Sequence, residues 1–179
     1  NWLTFSATTS PSRTFPKLST ILAGLFVTPV IAGGDAAANI EALSSVSRTL
    51  NFRLTVRDNV PYSSTAPVKV GQTQFTDMAV TVTNTSGPFG VSSPNTAVSW
   101  PGLSSQNITW TVNNTTAAPV SCANVNILMS TDGGNTWPYT LAANTPNDGT
   151  QSVTIPNIPT TTARIKVESV GNIFFDISN

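Results

Sequence analysis

The chain has 179 residues, of which 39% are hydrophobic, enough to build packed cores and too many for wholesale disorder. Histidine is absent, which excludes the Ser-His-Asp, Cys-His and HExxH chemistries. Eight basic and eight acidic side chains give zero formal net charge, which supplies no basic stripe for nucleic acid and leaves copies of the chain free of strong mutual repulsion.

The most abundant signals are Thr, Ser, Asn, Val and Ile in short runs cut by Gly, Pro and Asn, the vocabulary of strands and turns. In chain order, residues 2–6 read as a strand, and residues 15–22 as a short helix entered through Pro16. Residues 18–32 are the most apolar stretch. They are short for a bilayer span and contain Pro29, and they lack the charged start of a signal peptide. Membrane insertion is therefore not expected. A buried strand with a short helix, or an apolar surface that meets another subunit, is. The Gly33-Gly34-Asp35 segment reads as a loop entering a brief helix.

Residues 49–58 alternate strictly, with Leu50, Phe52, Leu54 and Val56 on one side and Asn51, Arg53, Thr55 and Arg57 on the other. That pattern predicts a half-buried antiparallel strand. Residues 78–83 repeat it and pair with it, while the polar link 59–74, with two prolines, reads as an exposed loop. The pattern restarts after Gly87-Pro88. We place a boundary between a partial Ig/PKD-like β module (1–85) and an Ig-like β-sandwich (86–179). Strands in the second part are predicted at 89–92, 97–100, 107–112, 124–130, 150–155, 163–169 and 173–177. Its core should comprise Val98, Trp100, Ile108, Trp110, Val112, Val125, Ile127, Val153, Ile155, Ile165, Val167 and Phe175. The fold class is thus all-β: an Ig-like or fibronectin-III-like sandwich preceded by a module with few strands.

Several runs carry a resemblance: RTFPKLSTIL (13–22), TLNFRLTVRDN (49–59), 78–89, VSCANV (120–125), STDGGNTWP (130–138), TPNDG (145–149) and ARIKVESVGNIFFDIS (163–178). They resemble the non-catalytic C-terminal region of secreted reprolysin-like zinc metallopeptidases of the Bacteroidota, over most of the chain and most densely from Thr49 onward. The resemblance implies Ig-like or fibronectin-like modules that follow a protease domain. The zinc motif HExxHxxGxxH belongs to that protease domain, and no position here matches it, so no catalytic residue is implied. The apolar run at 25–31 departs from the family, where a polar insertion is expected. The resemblance also implies a first module lacking its opening strands, either because the chain is a fragment or because the strands come from elsewhere.

Ser130-Thr131-Asp132-Gly133-Gly134-Asn135-Thr136-Trp137 has the S-x-D-x-G-x-T-W pattern of an Asp-box, in which the carboxylate serves its own loop amides and the Trp packs beneath. Trp137 and Tyr139 beside this turn form a possible ligand surface for sugar stacking. Asp58 and Asp77 are the best pair for calcium, but no DxDxDG loop is present, so no metal or other cofactor is expected. The triplets at Asn84, Asn107, Asn113 and Asn114 arise by chance in a chain rich in Asn and Thr. Cys122 reads as a small buried hydrophobe.

The function expected is a non-catalytic module for adhesion or accessory binding, secreted and lying outside the cell or on its surface. A protease domain or an extracellular polysaccharide would be its partner. One alternative is a structural subunit that assembles filaments by strand exchange between copies, with Trp2, Leu3, Phe5, Leu25, Phe26, Val27 and Ile31 as self-association residues. A second is a carbohydrate-binding module.

Overall fold

The computed structural model describes residues 10, 12–30 and 41–179. The expected strand at 2–6 and the segment at 33–38 lie outside the described residues. The elements are α1 (Leu18–Leu22), β1 (Arg48–Arg57), β2 (Thr73–Val82), β3 (Gly90–Ser93), β4 (Ser105–Thr111), β5 (Asn124–Ser130), β6 (Tyr139–Pro146), β7 (Thr150–Thr154), β8 (Arg164–Ser169) and β9 (Phe175–Ile177). Two compact units result: the residues up to Leu43 with Thr85–Asn179, and Ser44–Asn84.

The larger unit is an all-β sandwich. One sheet has the order β3-β4-β7 and the other β6-β5-β8-β9, with every neighbouring pair antiparallel. Period-two patterning builds it. Ile108 and Trp110 on β4, Val125, Ile127 and Met129 on β5, Val153 on β7, and Ile165 and Val167 on β8 are all buried. Residues between them turn outward. Burying each such side chain contributes about 1.5–3 kcal/mol. Val91, Ile155 and Cys122 complete this core, Cys122 as the expected small apolar filler.

Three expectations change here. Residues 97–100 form no strand, and Val98, expected in the core, is half exposed to solvent. Pro94 and Pro101 bracket the segment, and neither can donate to a sheet ladder. The unpredicted strand is β6, whose sequence lacks clean alternation because its pairing with β5 shifts register twice. Asn144 takes a positive φ of 52° there, and its amide donates to Asn126 Oδ1 at 2.8 Å, so a bulge is pinned by a side chain from β5. Phe175, also expected in the core, is only half-buried and lies beside Lys166.

Polar ties reinforce the apolar contact between the sheets. Asn147, between β6 and β7, is buried; its Oδ1 accepts from Trp110 Nε1 at 2.8 Å, and its Nδ2 donates to Thr115 Oγ1 at 3.1 Å and Cys122 O at 3.0 Å. On the opposite edge, Asp176 Oδ2 of β9 accepts from the amide of Val91 on β3 at 2.7 Å. In the same unit, Glu41 is fully buried; its carboxylate pairs with Arg13 and accepts from the amide of Lys17, while its carbonyl takes the amide of Thr28. One carboxyl residue thereby fastens the segment that contains α1.

The smaller unit is a two-stranded ribbon. Strands β1 and β2 pair from Arg48↔Val82 to Arg57↔Thr73 without a break. The pairing expected from alternation is present, and β2 begins within the stretch expected as loop. The register puts Leu50, Phe52, Leu54 and Val56 on the same face as Val80 and Met78. The expected half-burial does not extend along this face: Leu54 is 63% exposed, Val56 59% and Met78 56%. The physical reason is that residues 44–84 supply two strands and no second layer. On the other face Arg53 opposes Asp77, with bonds of 2.7 and 2.8 Å, and its guanidinium lies 4.1 Å from the centroid of the Phe75 ring.

These contacts separate two kinds of substitution. Asn147→Ala strands three buried polar partners and should lower the stability of the sandwich by about 2–4 kcal/mol in urea denaturation. Leu54→Ser on the exposed ribbon face should shift the same transition by less than about 0.5 kcal/mol.

Candidate functional site

The Asp-box turn leaves the end of β5 and is densely hydrogen-bonded within itself. Ser130 Oγ donates to Asp132 Oδ1 at 2.7 Å and accepts the amides of Asp132 and Gly134. Asp132 Oδ1 accepts the amides of Asn135 at 3.0 Å and Thr136 at 2.9 Å, and Oδ2 accepts the Thr136 hydroxyl at 2.7 Å. The Thr136 hydroxyl, then its amide, then the Ser130 hydroxyl hold the Asp132 carboxyl far below the usual carboxylate range. Every oxygen of that side chain is used inside its own loop, so the turn is a structural device.

Gly134 is required at its place. Its φ is +97°, and a Cβ there would lie 2.5 Å from a methyl of Leu22, at the end of α1. The turn is therefore also the seat on which the short helix rests.

Trp137 and Tyr139 do not form an exposed row. Both are half-buried, and Tyr139 packs against the sandwich core. Lys166 Nζ lies 5.1 Å from the centroid of the Trp137 ring and 2.7 Å from Glu168, a cation–π contact that occupies one ring face. The two acids considered for calcium serve separate structural ends. Asp77 pairs with Arg53, whereas Asp58 Oδ1 accepts the amides of Val60 at 3.0 Å and Gln72 at 3.1 Å to close the loop of the ribbon. Among the described residues no three metal-ligating side chains gather.

Of the residues considered for self-association, Trp2, Leu3, Phe5 and Ile31 lie outside the described residues. Leu25, Phe26 and Val27 follow α1 and are exposed, Phe26 by 70%. Val27 pairs with Ala42, and Phe26 O accepts the amide of Leu43, which is itself exposed. An apolar surface patch results. Residues 18–22 are helical, and of residues 23–30 only Thr28 is buried, so this described part of the apolar run lies at the surface instead of forming a buried strand. No described helix is long and apolar enough to cross a membrane.

Asn147, Glu41 and Asp176 are the key polar residues that sequence reasoning missed. Asn147 sits in an Asn-Asp-Gly run that spells an exposed turn, and its partner Trp110 is 37 positions away. Nothing local marks it. Glu41 is the more legible case, because a lone Glu in an apolar, charge-poor stretch must be either exposed or paired.

No protein-family model matches the sequence, no curated protein matches it, and no solved structure matches it.

The two shifted acids of the sandwich pull in opposite directions with pH. The bonds to Asp132 stabilise the fold above the unfolded carboxylate range near about pH 4, and that contribution is lost as pH falls toward the much lower folded value. Burial raises the carboxyl of Asp176, so acidification adds stability there as pH falls through its folded value. Thermal melts of Asp132→Asn should show a flatter acid limb than the unsubstituted chain. Melts of Asp176→Asn should show a steeper one.

Proposed function

We propose that this chain is a non-catalytic, secreted β-sandwich module that acts by surface binding, as an adhesive or accessory region of the kind found on secreted metallopeptidases. The observation that carries this reading is how its acids are used. Asp132 is bound within its turn, Asp77 on Arg53, Asp176 on the Val91 amide, Glu41 on Arg13 and Glu168 on Lys166. Among the described residues, these carboxylates are bonded into turns, ribbon and sheet ties instead of being left free for acid–base work. A module built this way offers shape and surface.

A second reading, self-association into an extracellular filament, is favoured by one specific feature. Among the described residues neither outer edge of the β1–β2 ribbon has a strand against it, Leu54, Val56, Phe75 and Met78 are exposed, and isolated two-stranded hairpins are marginal in water. A sugar-binding reading draws less support, because Lys166 already covers a face of Trp137.

Retention on intact bacterial cells and on insoluble polysaccharide tests the first reading. Fluorescently labelled protein should be retained saturably on one of these, with no hydrolysis of casein. Casein hydrolysis that scales with the purified chain would contradict it. Loss of polysaccharide retention in a folded Trp137→Ala variant would move the assignment to sugar binding. In the same preparations light scattering should report a monomer, whereas high-mass species or filaments would favour self-association.

A further inference from the structure

The chain contains two Asp-Gly bonds, Asp132-Gly133 and Asp148-Gly149, and the fold treats them in opposite ways. In such a pair the glycine nitrogen can close a five-membered ring on the Asp carboxyl carbon, because glycine has no Cβ to obstruct the approach. Attack requires a carboxyl in its neutral form and an amide nitrogen free to move.

Both conditions fail at Asp132. Its oxygens are bound inside the Asp-box, its carboxyl is held ionised far below the usual range, and the amide of Gly133 donates to Thr162 O at 3.0 Å. Asp148 lies in the turn between β6 and β7 and is exposed. Among the described residues its carboxylate takes one bond, from the amide of Thr150 to Oδ1 at 3.2 Å, and no group accepts the amide of Gly149. The turn cannot dispense with this glycine. Its φ is +96°, and a Cβ there would lie 3.2 Å from Trp110 O.

The residues on either side of Asp148 are both fastened to Trp110. Asn147 Oδ1 accepts the indole N–H at 2.8 Å, and Gly149 O accepts the backbone amide of Trp110 at 3.0 Å. The amide of Asn147 also donates to Ala123 O at 2.9 Å. The length of chain between the two ties is thereby set by the closure of the sheets.

We propose that Asp148-Gly149 is a site of spontaneous isomerisation, which inserts one extra backbone atom between the two ties and loosens the sandwich as the folded protein ages. In the first step the Gly149 nitrogen bonds to Asp148 Cγ and gives up its proton. The Cγ–OH bond breaks, and the hydroxyl leaves with that proton as water. In the second step water adds to the main-chain carbonyl carbon of the succinimide ring. The bond from that carbon to nitrogen breaks, the nitrogen regains a proton, and the chain now runs through Cβ and Cγ with the α-carboxylate as its side group. Water is the only co-reactant, and neither mass nor oxidation state changes. The site is independent of the adhesion reading.

The test is storage of the folded chain in warm neutral buffer beside a sample kept unfolded in urea. Isoaspartate is then located by methyl transfer from S-adenosylmethionine with isoaspartyl methyltransferase, and by mapping with an endoproteinase that cuts before Asp and not before isoaspartate. In urea both bonds should convert at similar rates. In the folded chain Asp148 should convert at least about tenfold faster than Asp132, whose turn is closed to local opening. Converted chains, separated by chromatography, should melt about 4 °C or more below unconverted ones, because a buried tie on Trp110 is lost. Asp148→Ser keeps an oxygen for the Thr150 amide and has no carboxyl to close the ring; it should abolish methyl acceptance by the stored folded chain and leave the initial thermal midpoint unchanged. Absence of isoaspartate at position 148 in the folded chain while the urea sample converts would overturn the proposal. Equal conversion of Asp132 in the folded chain, or an unchanged midpoint in converted chains, would do the same.

Discussion

The closure of one sheet over the other organises this protein, and Trp110 is where it is decided. Its ring lies in the apolar layer formed by Ile108, Val125, Ile127 and Val167, and its indole N–H must find an acceptor away from water. Asn147 supplies that acceptor, and its amide then holds the Thr115 hydroxyl and the Cys122 carbonyl. A turn that looks like surface thus fixes how β4 meets the entrance to β5. The Asp176–Val91 bond ties the opposite edge. Between these ties, the apolar contact supplies most of the stability and the polar bonds select one alignment of the sheets.

The remaining apolar surface is distributed unevenly. Ribbon residues such as Leu54, Val56, Phe75 and Met78 stay largely in water, as do Phe26 and Val27 after α1. A chain with 9% charged residues has little charge to keep such patches apart. The ribbon is held chiefly by its ladder and the Arg53–Asp77 pair, and exposed pairs of this kind contribute little. Its alternation is that of a strand with a covered face, whereas its surroundings are those of a strand awaiting cover.

Alternation was sufficient to place β4, β5, β7 and β8 and nearly their whole buried set, because each strand has one face in the core. The carboxylate bonds of the Asp-box turn were legible, since every partner of Asp132 lies within four positions of it, whereas the bonds of Thr131 O and Gly133 N to Thr160 and Thr162 were not. Legibility failed where a residue's role depends on a distant element. The alternation of residues 97–100 predicted extended backbone but could not reveal that two prolines isolate it from a ladder. The bulged register of β6 hid a strand, and the sheet ties at Asn147 and Asp176 depend on partners 37 and 85 positions away. The exposure of the ribbon was likewise invisible, because a period-two pattern reports a face prepared for burial and not the layer that buries it.

Native-state hydrogen exchange at low protein concentration tests this division of stability most directly. The account predicts that the core amides of Ile127 and Val167 exchange only through global unfolding, whereas the hydrogen-bonded amides of β1 and β2 exchange at least about a hundredfold faster through local opening. Equal protection of the ribbon and the sandwich, with a common dependence on denaturant, would contradict it. The ribbon would then be part of the same cooperative core, and its exposed face would no longer argue for a missing partner.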